Sequence, residues 1–167
     1  MSDDHIDDEG YRANVGIIIA NARNQLLWAR RIGQGGWQFP QGGIRPQEAP
    51  LAAMYRELRE EVGLAPEDVD IVAETRDWCR YTLPERYQRK NCEPLCIGQK
   101  QRWFMLRLVA DEAQIRFDLN DEPEFDHWEW VDVSVPAQNV IYFKRDVYEQ
   151  VLGELWPHLT GPGAASA

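Results

Sequence analysis

The sequence predicts a single domain of α/β or α+β class, and three observations carry that expectation. Apolar runs of β type recur along the chain, two segments alone repeat at helical spacing, and no internal repeat is visible. Composition agrees, because 167 residues at 44% hydrophobic and 28% charged can bury a core without disulfides or a structural metal.

Taken in order, residues 1–9 form an acidic, polar tail expected to be disordered. "VGIIIAN" and "QLLWARR" are β-type runs joined by a short polar turn, a hairpin signature. "IGQGGWQFPQGGIRP" is rich in Gly and Pro and reads as loop with a short strand at residues 37–39. A helix is expected from about residue 48 to residue 62, with Pro50 tolerated in its first turn and Gly63 as a left-handed stop. Leu51, Tyr55, Leu58 and Val62 would form its buried stripe. "VDIVAET", "WCRYTL", "LCIGQKQRWFMLRLV" and "EFDHWEWVDV" follow as strands. "FKRDVYEQVLGELW" is a second helix with Val147, Val151, Leu152 and Leu155 inward. The domain is bounded at residues 10–158, leaving 159–167 as a second disordered tail.

Charge narrows the function. A net charge of −10 argues against nonspecific adhesion to nucleic acid, which needs Lys and Arg against phosphate. Yet from Arg76 to Arg107 eight basic residues face three acidic ones, interleaved with Trp78, Tyr81, Tyr87, Trp103 and Phe104. Such a section suits local binding of an anion, although outward strand faces can look the same. Cys79, Cys92 and Cys96 complete no disulfide framework and, with His5, His127 and His158, show no zinc spacing. A reduced protein of the cytoplasm is expected, since the first ten residues are acidic where a signal peptide is basic and no run reaches membrane-spanning length.

The reactive chemistry left is carboxylate. No Gly-x-Ser-x-Gly elbow, phosphate-cradling Gly-Lys-Ser/Thr loop or His-Glu-x-x-His pair occurs. In "RELREEVG", Glu57 lies one helical turn from both Glu60 and Glu61, where like charges repel by about a few tenths of a kcal/mol per pair. An acidic helix face is often merely solvated. Clustered beside the apolar stripe, the same oxygens suit a hard divalent cation such as Mg²⁺ or Mn²⁺.

From Gly42 the chain reads Gly, five residues, Glu48, seven residues, then Arg56-Glu57-Leu58-Arg59-Glu60-Glu61-Val62-Gly63-Leu64. This resembles the complete signature of the Nudix hydrolases. "GYRANVGI", "WQFPQGGI", "AMYRELREEVGL", "CIGQKQRWF", "PEFDHWEWV" and "FKRDVY" are similar to the bacterial RNA pyrophosphohydrolase subgroup, also described as dinucleoside polyphosphate hydrolases. The resemblance implies an α/β/α sandwich with a mixed sheet between helices. It implies removal of pyrophosphate from the 5′-triphosphate end of RNA, with dinucleoside polyphosphate hydrolysis as the alternative. It assigns Glu57, Glu60, Glu61, Glu124 and the Gly43 carbonyl to the metal, and leaves Glu60 and Glu124 as rival general bases. Glu48 is implied to brace Arg56. Arg12, Arg31, Tyr81, Phe143 and Lys144 match the substrate-binding positions, although Phe143 also fits a hydrophobic staple and Arg31 a strand-edge charge. A small stimulatory protein partner is compatible with this subgroup, and no motif here specifies one.

Overall fold

The computed structural model describes residues 6–33, 36–88 and 95–161. Eight strands make one mixed sheet: β1 (Tyr11–Ala20), β2 (Leu26–Arg31), β3 (Trp37–Gln38), β4 (Gln41–Gly43), β5 (Val69–Glu74), β6 (Cys79–Thr82), β7 (Gly98–Leu108) and β8 (Phe125–Val131). The central path runs β3-β2-β1-β7-β5, with β4 on β1, β6 on β7 and β8 on β2. β1 and β7 pair in parallel along their length, from Tyr11 opposite Gly98 to Ala20 opposite Arg107; the other pairings are antiparallel.

The continuous apolar run of β1 is explained by burial on both faces. Ile17 and Ile19 point to one side with Phe104 and Leu106 of β7, against Ala53, Met54, Leu58 and Val62. Ile18 and Ala20 point to the other with Trp103 and Met105, against Tyr148, Val151, Leu155 and Leu159. Period-2 alternation thus deals successive residues to two helical layers, which is the expected sandwich. Short α2 (Val135–Asn139) and long α3 (Arg145–Thr160) cover the second face.

Four expectations need correction. The first helix is α-helical only over α1 (Pro50–Glu57) and continues as a π-type turn over Leu58–Val62 before Gly63, at φ 79°, ends it. Its buried line is Met54, Leu58 and Val62; Leu51 is 44% exposed in the first turn and Tyr55 only half-buried. The Gly-rich loop contains β4, whose Gln41, Gly42 and Gly43 lie opposite Gly16, Val15 and Asn14. Strand propensity is low for two glycines, so pairing with β1 rather than local preference makes this strand.

The tails also differ from expectation where they are described. Ile6 bridges Arg12, and Asp7 accepts from the Tyr11 amide at 2.9 Å and pairs with Lys100 at 3.1 Å. At the other end α3 runs on through Leu159, which is buried. Residues 1–5 and 162–167, and Cys92, lie outside the described residues. Cys79 and Cys96 are free thiols. No helix among the described residues is long and apolar enough to cross a membrane.

Gly16 sits opposite the fully buried Trp103, and a Cβ there would overlap the indole. Gly16→Ala should therefore cost about 1–3 kcal/mol through overpacking. Urea unfolding at neutral pH measures this, and an unchanged midpoint would refute the close packing of β1 on β7.

Candidate metal and polyphosphate site

The site begins where β4 hands the chain to the loop before α1. Arg56, in the last turn of α1, folds back on that loop and holds it. Its Nη2 donates to Glu48 Oε1 at 2.8 Å and to the Gly43 carbonyl at 2.8 Å, while Nε donates to Glu48 Oε2 at 2.9 Å. The fork is bidentate on a largely buried carboxylate. The guanidinium beside Glu48 holds its carboxyl down at about 2. Nη1 of the same arginine donates to Glu57 at 2.8 Å and to Glu60 at 3.4 Å.

Glu57, Glu60 and Glu61 converge, each offering a carboxylate oxygen within 4.8 Å of the others. Glu57 is buried against Gly42, where any Cβ would overlap its carboxylate, so glycine is required by close approach. Burial raises the Glu57 pKa, opposed by Arg56. Burial, and then the charge of Glu57, push the Glu61 carboxyl up to about 7. Asn120 donates to Glu61 Oε1 at 3.1 Å, while Glu61 Oε2 is buried with no hydrogen-bond partner. Crowded, desolvated carboxylates with one orphaned oxygen fit a hard divalent cation, whose charge reverses their mutual repulsion. The Gly43 carbonyl is already bonded to Arg56 and has one lone pair left for such an ion.

Glu124 stands apart from this trio. It pairs with Arg31 at 3.1 Å and is near enough to Glu61 to raise its pKa. Beyond it lies a cationic wall. Lys144 is 7% exposed, yet among the described residues its Nζ donates to neutral amides, Gln38 Oε1 at 3.1 Å and Gln41 Oε1 at 3.3 Å. The ammonium also stands 5.7 Å from the Tyr81 ring centre. Burial, and then Arg31, lower the Lys144 pKa to about 8. Arg12 and Arg31 both act on Tyr81, whose hydroxyl burial pushes up to about 12. Phe143 is half-buried, with Tyr87 at 5.3 Å, Tyr142 at 5.5 Å and Tyr81 at 5.9 Å between ring centres. It packs against the core under α3 as well, so the staple and the rim position coincide. Thus Arg12, Arg31, Tyr81, Phe143 and Lys144 form one neighbourhood beside the glutamates.

Residues not anticipated from sequence are Asn120, Gln38 and Gln41. A lone Asn in a loop and glutamines on strands carry no spacing signal. A separate cavity of about 410 Å³, lined by Asn21, Arg23, Leu108 and Trp130 among others, shares no residue with the carboxylates and gathers no comparable set of charges.

The NUDIX domain model matches residues 10–151. The chain belongs to the Nudix family. It is 58% identical over 158 residues to a protein named RNA pyrophosphohydrolase from Alkalilimnicola ehrlichii, covering 95% of this chain and 87% of that one. It is 58% identical over 154 residues to one of the same name from Pseudomonas putida, covering 92% and 97%. Among solved structures it is similar to the E. coli dihydroneopterin triphosphate pyrophosphohydrolase, with TM-score 0.67 and 21% identity over 84% of this chain and 95% of that one. A C. elegans Ap4A hydrolase gives 0.58 and 15% identity over 83% and 93%. These two likenesses establish the Nudix fold and nothing finer.

The pH dependence of metal-free stability follows from the carboxylates. Glu61 binds its proton more tightly folded (about 7) than unfolded (4.5), so stability is full below pH 4.5 and is lost as pH rises through 7. Glu48 has the opposite sign, its contribution present above pH 4.5 and lost as pH falls towards 2. Melting temperature should therefore decline between pH 5 and 7.5 in wild type and much less in Glu61→Gln. Equal slopes in calorimetry would refute the crowding of Glu61. With Mg²⁺ present, Glu57→Gln and Glu61→Gln should lower turnover by orders of magnitude while keeping the fold. Near-normal activity at limiting metal would remove these glutamates from the site.

Proposed function

We propose that this Nudix chain removes pyrophosphate from the 5′-triphosphorylated end of RNA, leaving a 5′-monophosphate and initiating mRNA decay, in the cytoplasm. Mg²⁺ is the proposed metal, with Mn²⁺ as the alternative, held by Glu57, Glu60 and Glu61 with Glu124 and the Gly43 carbonyl at its margin. Bound there, the cation would neutralise charge developing on the phosphoryl oxygens. The residues of the chain do the remaining work. Arg56 fixes the loop and the first carboxylate, and Asn120 orients Glu61. Glu60, loosely held at 3.4 Å, and Glu124, tied to Arg31, are the two candidates to accept a proton from water.

The observation that carries the RNA reading is Lys144. Among the described residues this buried ammonium donates to neutral amides, so below about pH 8 its charge is left for an anion, and Phe143 lies beside it on the same turn, nearer the surface. A base beyond the scissile phosphates needs such a ring and cation. The naming of the 58% identical relatives supports the same choice. The second reading, diadenosine polyphosphate hydrolysis, uses the same carboxylates.

A side-by-side assay with Mg²⁺ decides between them, and a higher kcat/KM on triphosphorylated RNA than on diadenosine tetraphosphate is expected. The reverse order would overturn the RNA reading. Base stacking contributes about 1–3 kcal/mol, so Phe143→Ala should lower kcat/KM on RNA roughly ten- to a hundredfold. A lower melting temperature with unchanged kinetics would reduce Phe143 to a staple. Activity on RNA should also fall as pH rises through about 8, where Lys144 loses its proton, and this limb should vanish in Lys144→Met. A limb that persists in the variant would place it elsewhere.

A further inference from the structure

Bordering the neighbourhood of Lys144, two tyrosines and an arginine gather on the surface in a way the core does not require. Tyr142 is 55% exposed and Tyr87 44% exposed. They come from different parts of the chain, on the short 3-10 turns Tyr142–Lys144 and Glu85–Tyr87, and each packs on Phe143. Arg86 ties the pair, with its guanidinium carbon 5.0 Å from the Tyr87 ring centre and 6.0 Å from that of Tyr142. Its Nη2 donates to the Tyr142 hydroxyl at 3.3 Å. Exposed aromatic surface is costly and marks a binding surface when it is contiguous, and Ile141 at 40% exposure extends it.

The patch is continuous with the proposed active site. Along the 3-10 turn, Lys144 is buried, Phe143 half-buried and Tyr142 open to solvent, so one turn leads from a sequestered cation to exposed rings. Phe143 touches both Tyr87 and Tyr142. Aromatic faces joined by an arginine bind successive bases and backbone of a single strand with little regard to sequence.

We propose that Tyr87, Tyr142 and Arg86 form a platform for RNA nucleotides downstream of those held at Phe143 and Lys144. The inference rests on the RNA reading above and adds to it the source of a preference for a polynucleotide over a free nucleotide. The platform touches no reacting atom and acts through substrate binding, so it should change KM more than kcat.

The test compares a triphosphorylated dinucleotide, a triphosphorylated single-stranded octanucleotide and diadenosine tetraphosphate, with the full chain and Mg²⁺. Wild type should prefer the octanucleotide. Tyr87→Ser/Tyr142→Ser should lower its kcat/KM about five- to tenfold, mainly through KM, with the dinucleotide and diadenosine tetraphosphate within twofold of wild type. Arg86→Gln, a single exposed change, should lower octanucleotide affinity at low salt and matter less as salt rises. Binding of a fluorescent 5′-monophosphorylated octanucleotide without metal, on protein of wild-type melting temperature, should weaken in parallel. Equal losses on both RNA lengths, or none, would overturn the platform while leaving RNA hydrolysis standing. Wild type that ignores both RNAs and hydrolyses diadenosine tetraphosphate would overturn both.

Discussion

The guanidinium of Arg56 is the contact on which the rest of the site depends. One side chain closes four links, to Glu48, to the Gly43 carbonyl, to Glu57 and to Glu60. A glycine-rich loop after β4 has little propensity to hold any single shape. Pinning it by a planar bidentate fork gives it one, and the same fork supplies the positive charge that lets Glu57 stay buried. Removing that arginine would leave the buried Glu57 and the half-buried Glu48 uncompensated, a larger penalty than an exposed ion pair would carry. Glu61 receives no such help and is correspondingly hard to ionise. One guanidinium shared with Glu48 offsets only part of the trio's charge, and the remaining negative charge is what a cation would meet.

The sheet explains why this cluster and the cationic wall lie side by side. β1 carries β4 on one edge and β7 on the other, so the loop that feeds α1 starts beside the strand end bearing Arg12. Gln41 belongs to both arrangements. Its backbone pairs with Gly16 in β4, and its amide oxygen accepts from Lys144 while its nitrogen reaches Gln99. Asn14, Gln99 and Gln101 extend this amide network beneath the site. Buried amides satisfy one another and cost little once every partner is present, whereas a partial network would be worse than an apolar core.

Much of this was legible in the chain. The alternating and continuous apolar runs gave the strands, and the register of Glu57, Glu60 and Glu61 located the carboxylate cluster. The roles of Glu48 and Arg56 came from the family pattern, since a pair eight residues apart across a loop has no periodicity to announce it. Leu51 departs from the helical stripe because it lies in the first turn, where the chain has not yet come over the core. The π-type turn was invisible, for its residues have ordinary helical preferences and the extra residue is accommodated by tertiary packing and the Gly63 stop. Strand β4 and the residues 6–9 were hidden for the same reason: their order comes from partners distant in sequence, not from local propensity. Asn120 and the glutamines declare themselves only when a fold brings an acceptor within reach.

Lys144 shows most clearly how the molecule separates its charges. A carboxylate at the position of Gln38 or Gln41 would hold the ammonium more tightly and cancel its field. The neutral oxygens hold its direction and leave the charge, at the expense of a pKa lowered to about 8. Glu124 is close enough to raise the Lys144 pKa, and it is already committed to Arg31. That shared pair links the two halves: Glu124 faces Glu61 on one side and the cations on the other. A polyanion lying across the boundary would place its terminal phosphates by the glutamates and their cation and its following phosphate and base by Arg31, Lys144 and Phe143. Neither half alone suits a triphosphate joined to a nucleotide chain, since one needs a metal to attract any anion and the other lacks the carboxylates to hold one.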